Sequence, residues 1–243
     1  MKWTGNLFAA DAAYHRLKFN KFDQVVNIWG ADHHGYVPRM RSVLLALGAV
    51  DENFACLLVQ FVSLVEGGNK LSMSTRSGDF ITLNQLVAEV GVDVCRFFYL
   101  MRKSDQHMDF DLELARNSSQ ENPVYYVQYA HARICSIMNQ AGIDDFVVED
   151  VEMADFGRGS ESLLNCLAQY HEVLVNCIES KEVYLLAVYL QQLAAGLHKY
   201  YNSETCLVDD LRLRNSRLLL LSCVRNVLFQ GLGLLGISCP EKM

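Results

Sequence analysis

The sequence has no uninterrupted apolar run of the roughly 18 residues that a membrane span needs, although half of its 243 residues are apolar. It also shows no N-terminal pattern of positive charge, apolar stretch and small-residue cleavage site. A soluble chain with no membrane partner is expected. Positive charge is in short supply, with 21 Lys and Arg against 28 Asp and Glu and a formal net charge of -7. That argues against a broad basic surface and against DNA as a partner. RNA stays open, because a local basic stripe or a stacking surface can bind it on an acidic protein. The eight cysteines, at positions 56, 95, 135, 166, 177, 206, 223 and 239, form no CxxC pair and no tight framework. Most lie in apolar runs, as small core residues do, so a reduced, cytoplasmic compartment is expected. Repeats and low-complexity tracts are absent.

The length suits one large domain or two small ones. The chain is organised around Val25-Val26-Asn27-Ile28, an apolar run that empties into Trp29-Gly30-Ala31-Asp32-His33-His34-Gly35-Tyr36-Val37-Pro38. This reads as a buried strand followed by a polar loop. A helix then follows through Arg39, Met40, Val43, Leu44 and Leu47, capped by Gly48. In an open α/β sheet, ligands sit beyond the carboxyl ends of strands, where glycine lets backbone approach a nucleotide. Asp32-His33-His34 can be a hydrogen-bonded turn, a metal site or a substrate loop. No further ligands follow at helical spacing, so no metal site is expected and the substrate loop is the preferred reading.

Upstream, Leu7 to His15 reads as a short strand or turn running into an amphipathic helix. A second strand at Leu57 to Val62 completes a βαβ fragment, too small for a whole doubly wound sheet. Beyond Val65, the stretch from Glu66 to Gly78 is glycine-flanked, rich in hydroxyls, and carries Lys70 and Arg76. It is either a solvated hairpin loop or a mobile cationic loop suited to a polyphosphate. Its spacing does not match a Walker loop. Thr82 caps a helix through Leu83, Leu86, Val87 and Val90, and Asp93 begins another through Leu100. Met101 to Asp111 is polar and ends the first region. After Asn122-Pro123, helical periods run over 124–141, 160–178, 182–202 and 211–235, a helical bundle, with an acidic loop from Gly142 to Gly159. The fold class is α/β followed by all-α, with the boundary near residues 115–122.

Several stretches in this order resemble the C-terminal half of bacterial-type arginyl-tRNA synthetases, class I aminoacyl-tRNA ligases. They are Phe8-Ala9-Ala10-Asp11-Ala12-Ala13-Tyr14-His15, Ile28 to Arg39, the loop from Lys70 to Gly78, Val90 to Arg102, Met108 to Leu112, Asn122 to Arg133, and Gly231 to Met243. The resemblance implies that residues 1–115 are the C-terminal portion of a Rossmann-type catalytic domain and that 122–243 are an all-helical anticodon-binding domain. It implies ATP-dependent activation of arginine to an adenylate and transfer to tRNA(Arg), with Mg²⁺ assisting.

Carried over residue by residue, Asp11 matches the carboxylate that pairs with the substrate guanidinium. Gly30, Asp32 and His33 match the adenosine-side loop. Ser72, Met73 and Ser74 lie on the mobile signature loop, which usually reads Lys-Met-Ser-Lys. Serine and threonine replace both lysines here, leaving Lys70 and Arg76 as the catalytic candidates for stabilising the pyrophosphate leaving group. Tyr126 and Tyr129, three apart on one helix face, read as core on residue type alone. The resemblance makes them contacts to anticodon-loop bases, joined by Tyr201 and Met243. Arg133 could touch phosphate or pair within the core.

Two departures stand out. The His-Ile-Gly-His-type signature that assists ATP in class I enzymes occurs nowhere, and Leu7 stands where the family commonly has tyrosine. A separate N-terminal half is therefore among the implied partners, and the chain alone is expected to be inactive. The alternative is a catalytically inactive module that only binds the tRNA anticodon loop.

Overall fold

The computed structural model describes residues 7–71, 81–142, 156–157 and 159–243. By internal packing the chain divides into one unit of Met1–Ser63 with Ser104–Asp109 and a second of Leu64–Lys103 with Phe110–Met243.

The first unit opens with helix α1, Leu7–Phe19. The stretch from Leu7 to His15 is thus helical from its start, where the sequence suggested a strand or turn. Its four alanines and the lack of any Val, Ile, Thr or Gly favour helix throughout. Strand β1, Val25–Gly30, pairs in parallel with β2, Phe54–Val59, in a register running from Val25 opposite Phe54 to Gly30 opposite Val59. Helix α2, Val37–Ala46, connects them, and Gly48 follows at φ +85°, the left-handed conformation that suits a cap. This is the expected βαβ unit. β2 begins three residues before the expected Leu57, because periodicity cannot fix where a strand stops inside the apolar run from Phe54 to Val65. Val25, Met40, Leu44 and Phe54 form its core, with Phe8, Trp29 and Tyr36 packed around them. β1 turns its polar residue inward. Asn27 is buried, whereas Val26 and Ile28 are 46% and 69% exposed.

β3, Val62–Glu66, and β4, Asn69–Lys70, form an antiparallel hairpin turned by Gly67 and Gly68, both at positive φ. With β5, Met108–Asp111, they make a three-stranded sheet of order β4-β3-β5. The polar reading of 101–111 overlooked β5, whose alternation buries Met108 and Phe110 but exposes Asp109.

In the second unit, α3, Leu83–Val90, starts at a capping box in which the Thr82 hydroxyl accepts from the Gln85 amide and the Gln85 side chain returns to Thr82. α4, Val92–Leu100, follows through Gly91, and α5, Leu112–Arg116, is capped by Asp111. The bundle consists of α6, Pro123–Ala141, α7, Ser160–Ala168, α8, Tyr170–Ser180, α9, Tyr184–Ser203, and α10, Leu211–Leu234. The expected single helix over 160–178 is broken at Gln169, where the backbone amide bonds to the Cys166 carbonyl three residues back. Leu190, Leu193, Leu218, Leu221, Val224 and Leu228 are completely buried in the bundle core.

α10 is, by length and composition alone, long and apolar enough to cross a membrane, and 56% of its apolar stretch is buried inside the bundle. It is no unbroken apolar run, because Arg212, Arg214, Arg217 and Arg225 interrupt it. The acidic stretch 143–155 lies outside the described residues.

Candidate functional site

Two groups of side chains converge, one in each unit. In the first, Asp11 on α1 is about one-third exposed (32%), and His15 sits one turn further on, with Nδ1 at 3.2 Å from its carboxylate and 2.8 Å from its backbone carbonyl. His15 is buried, and its Nε2 lies 2.6 Å from the Asn27 side-chain nitrogen. The Lys18 ammonium donates to the Asn27 side-chain oxygen at 3.3 Å. A lysine can only donate, so the Asn27 amide must present its NH₂ to His15. Nε2 is then the acceptor and Nδ1–H the donor toward Asp11. Burial, and next the nearby Asp11 carboxylate, push the pKa of the Tyr36 phenol up. Phe8 and Trp29 hold the Tyr36 ring edge-on, at centroid distances of 5.4 and 5.5 Å. Asp11 is thus a carboxylate oriented by His15 yet partly open to solvent, a geometry able to take a guanidinium in a bidentate pair. Sequence reasoning missed Tyr36, His15 and Asn27. The spacing of Asp11 and His15, four apart on a helix, was the one local signal.

At the carboxyl end of β1 the chain enters a 3-10 turn, Ala31–Tyr36. A Cβ on Gly30 would lie 2.5 Å from the Asp32 carboxylate oxygen, so only glycine allows that side chain to fold back over the strand end. Asp32 and His33 are both exposed, 3.7 Å apart, and His34 Nδ1 lies 3.2 Å from the Ala31 carbonyl. The segment is a hydrogen-bonded turn that leaves its polar groups open beyond the strand. Among the described residues no group of three or more His, Cys, Asp or Glu could hold a metal ion.

Lys70 ends β4 and is exposed. Ser72, Met73, Ser74 and Arg76 lie outside the described residues. Arg116 ties the base of this hairpin to α3, with Nη1 2.6 Å from Glu66 and Nε 2.6 Å from Glu89.

In the second unit, Tyr129, Arg133, Tyr201 and Met243 line one cavity of about 430 Å³, with Glu241 and Lys242 on the same wall as Met243. The Arg133 guanidinium lies 4.1 Å from the Tyr201 ring centroid and 5.4 Å from that of Tyr129, within cation–π range of both. Tyr125 stacks on Tyr129 at 6.3 Å, nearly parallel. Tyr126 is not among the lining residues. Its ring packs against the bundle core and lies 4.7 Å from His198, and burial pushes its phenol pKa up. Three of the four aromatic and terminal positions singled out from the sequence therefore meet at one cavity, and Arg133 joins them.

The DALR anticodon binding domain family matches residues 127–243. The arginine–tRNA ligase of Syntrophotalea carbinolica is 49% identical over 241 residues, covering 97% of this chain and 44% of its own. Among solved structures, an arginyl-tRNA synthetase from Campylobacter jejuni superposes with a TM-score of 0.87 at 35% identity, over 98% of this chain and 52% of its own. The arginyl-tRNA synthetase of Thermus thermophilus does so with a TM-score of 0.74 at 26% identity, over 92% and 42%. The chain spans about half the length of these relatives, or less. The order of its motifs, the helical domain it carries and the fold it shares agree: residues 127–243 match the DALR anticodon binding domain family, and the chain as a whole is similar to the C-terminal half of arginyl-tRNA synthetases.

Proposed function

We propose that the chain is the second half of an arginine–tRNA ligase and that its helical part, residues 122–243, binds the anticodon loop of tRNA(Arg). The observation that carries this reading is the convergence of Tyr129, Arg133, Tyr201 and Met243 on one cavity. Two aromatic faces with a guanidinium lying against them suit unstacked bases, and base–aromatic stacking is worth roughly 1–3 kcal/mol per base. An acidic chain has to bind RNA through such a local platform rather than through a broad phosphate-neutralising surface.

Residues 1–115 are then the back of the catalytic domain. Asp11, held by His15, pairs with the guanidinium of arginine. Gly30, Asp32 and His33 take the adenosine side of ATP. Ser72, Met73 and Ser74 contact its phosphates, while Lys70 and Arg76 neutralise pyrophosphate as the arginine carboxylate displaces it from the α-phosphorus. A ribose hydroxyl of tRNA then attacks the arginyl carbonyl and AMP leaves. Mg²⁺ favours phosphate oxygens, and among the described residues no group of three or more His, Cys, Asp or Glu could hold it. A module that only holds tRNA has no use for a carboxylate oriented by a buried histidine, and that arrangement supports the ligase reading.

The ATP signature absent from this sequence has to come from an N-terminal half. The exposed Val26 and Ile28 on β1 support such a covering partner, since uncovered apolar strand faces are an aggregation hazard. The test is to incubate the 243-residue chain with tRNA(Arg), labelled arginine, ATP and Mg²⁺, and to follow charging and filter retention. Retention without charging is expected. Charging by this chain alone would overturn the need for an N-terminal half, and lack of retention would sink the anticodon-binding reading.

A further inference from the structure

We propose that Asp93 and Gln128 are positioning residues for the tRNA site. From α4 and α6 they strap down the segment Gly236–Pro240, so that Glu241, Lys242 and Met243 form a fixed wall of the cavity. The proposal rests on reading that cavity as the tRNA site.

α10 ends in a Schellman turn. Gly236, at φ +67°, bonds through its amide to the Gly233 carbonyl, and the Ile237 amide reaches back to the Leu232 carbonyl. Ile237 is buried in the bundle core, which anchors the start of the tail. The next residues are held by polar groups distant in sequence. Asp93 accepts the Ser238 amide at 3.2 Å and also the Ser238 hydroxyl. The Gln128 side-chain nitrogen donates to Asp93 at 3.0 Å and to the Ser238 carbonyl at 2.9 Å. The Arg96 guanidinium donates to the Gly236 carbonyl, and a Cβ on Gly236 would lie 2.9 Å from that group. His131 Nδ1–H donates to the Pro240 carbonyl at 2.9 Å.

Four side chains on two helices thus bind the backbone and the one hydroxyl of a five-residue segment. They leave the three residues beyond it on the cavity. None of the four lines the cavity itself, so their part is to preorganise the wall, removing the ordering cost that binding would otherwise carry. A tail held only at Ile237 leaves Met243 free to swing away from Tyr129 and Tyr201. Gln128 is buried, and its amide nitrogen serves Asp93 and the tail at once, which makes Asp93 and Ser238 parts of one unit rather than independent contacts.

The experiment compares the wild-type chain, Asp93→Ala, a chain ending at Pro240, and the two changes combined. Two readouts are followed: hydrogen exchange at the Ser238 amide, and affinity for a fluorescent tRNA(Arg) anticodon stem-loop. In Asp93→Ala we expect Ser238 exchange to accelerate by about tenfold or more and affinity to fall about tenfold, to the level of the shortened chain. Adding Asp93→Ala to the shortened chain should cost nothing further, the non-additivity expected when one residue acts through another. Unchanged exchange in Asp93→Ala overturns the strap. Fast exchange with wild-type affinity, or an affinity loss that adds to the truncation, overturns the positioning role. A wild-type chain with no affinity for the stem-loop sinks the tRNA reading, and the positioning role with it, while the exchange readout still decides whether the strap exists. Should Asp93→Ala fail to fold, Ser238→Ala, altered on the exposed tail rather than within a helix, is read in its place, with exchange and affinity changing in the same directions.

Discussion

Gly231 lies where α10 packs against Leu190 of α9. A Cβ there would meet Leu190 at 2.6 Å (Cδ2), 3.1 Å (Cδ1) and 3.3 Å (Cγ), and Leu190 is completely buried. Gly196, on α9, is the control, since a Cβ there meets only Leu163 Cδ1 at 3.4 Å, an ordinary contact. Both glycines are inside helices, so replacement by alanine brings each roughly 0.5–1 kcal/mol of helix propensity. At Gly196 nothing opposes this gain, and Gly196→Ala should stabilise by about that amount. At Gly231 the added methyl must displace Leu190 in a filled core, at a cost of about 1–3 kcal/mol, leaving Gly231→Ala neutral to about 2.5 kcal/mol less stable. The two variants should therefore differ by about 1–3 kcal/mol. Urea unfolding followed by helical circular dichroism measures this directly. A Leu190→Ala change should also cost less in the Gly231→Ala background than in wild type, because there it relieves the clash. If Gly231→Ala proves as stable as Gly196→Ala, the close packing of α9 on α10 is not as described.

Two further outcomes are expected. Tyr129→Ala should weaken tRNA(Arg) binding about 5- to 150-fold, the equivalent of roughly 1–3 kcal/mol of stacking, with little change in stability, whereas Tyr126→Ala should chiefly lower stability. Anisotropy titration alongside urea melts separates these patterns, and the reverse assignment would refute the placement of the two rings. His131 and His198 have pKa values lowered chiefly by burial, so both stay neutral in the folded chain more readily than in the unfolded one. As pH falls through the unfolded value of about 6.5 the unfolded state takes up more protons, and stability should fall from about pH 7.5 to about pH 5.5. Urea midpoints at both pH values check the sign; an equal or higher midpoint at the lower pH would contradict it.

The parts of the fold that were legible in the sequence are those with local causes. The capping box at Thr82 and Gln85, the Asn122-Pro123 start of α6 and the apolar run of β1 leading to Gly30 each announce themselves within a few residues. The misread parts depended on distant partners. β5 is a strand only because β3 lies beside it, and Asn27 can point inward only because His15 and Lys18 meet it there. The same division runs through the candidate sites. Asp11, Tyr129, Tyr201 and Met243 were named through family resemblance, but the groups that position them or their neighbours, Asn27 and Asp93 among them, carry no mark of it in the linear pattern. Gln128 and Ser238, which bond to each other, stand 110 residues apart, and no periodicity connects them.

That separation also sets an order of events during synthesis. Tyr129 leaves the ribosome about 110 residues ahead of the tail that walls its cavity. At about 5–20 residues per second the interval is roughly 5 to 20 seconds. Through that interval the nascent helices present the ring face without the wall, and α10 has still to pack against them. A cavity walled by a segment made so late is therefore completed only after that segment has left the ribosome and packed onto the bundle.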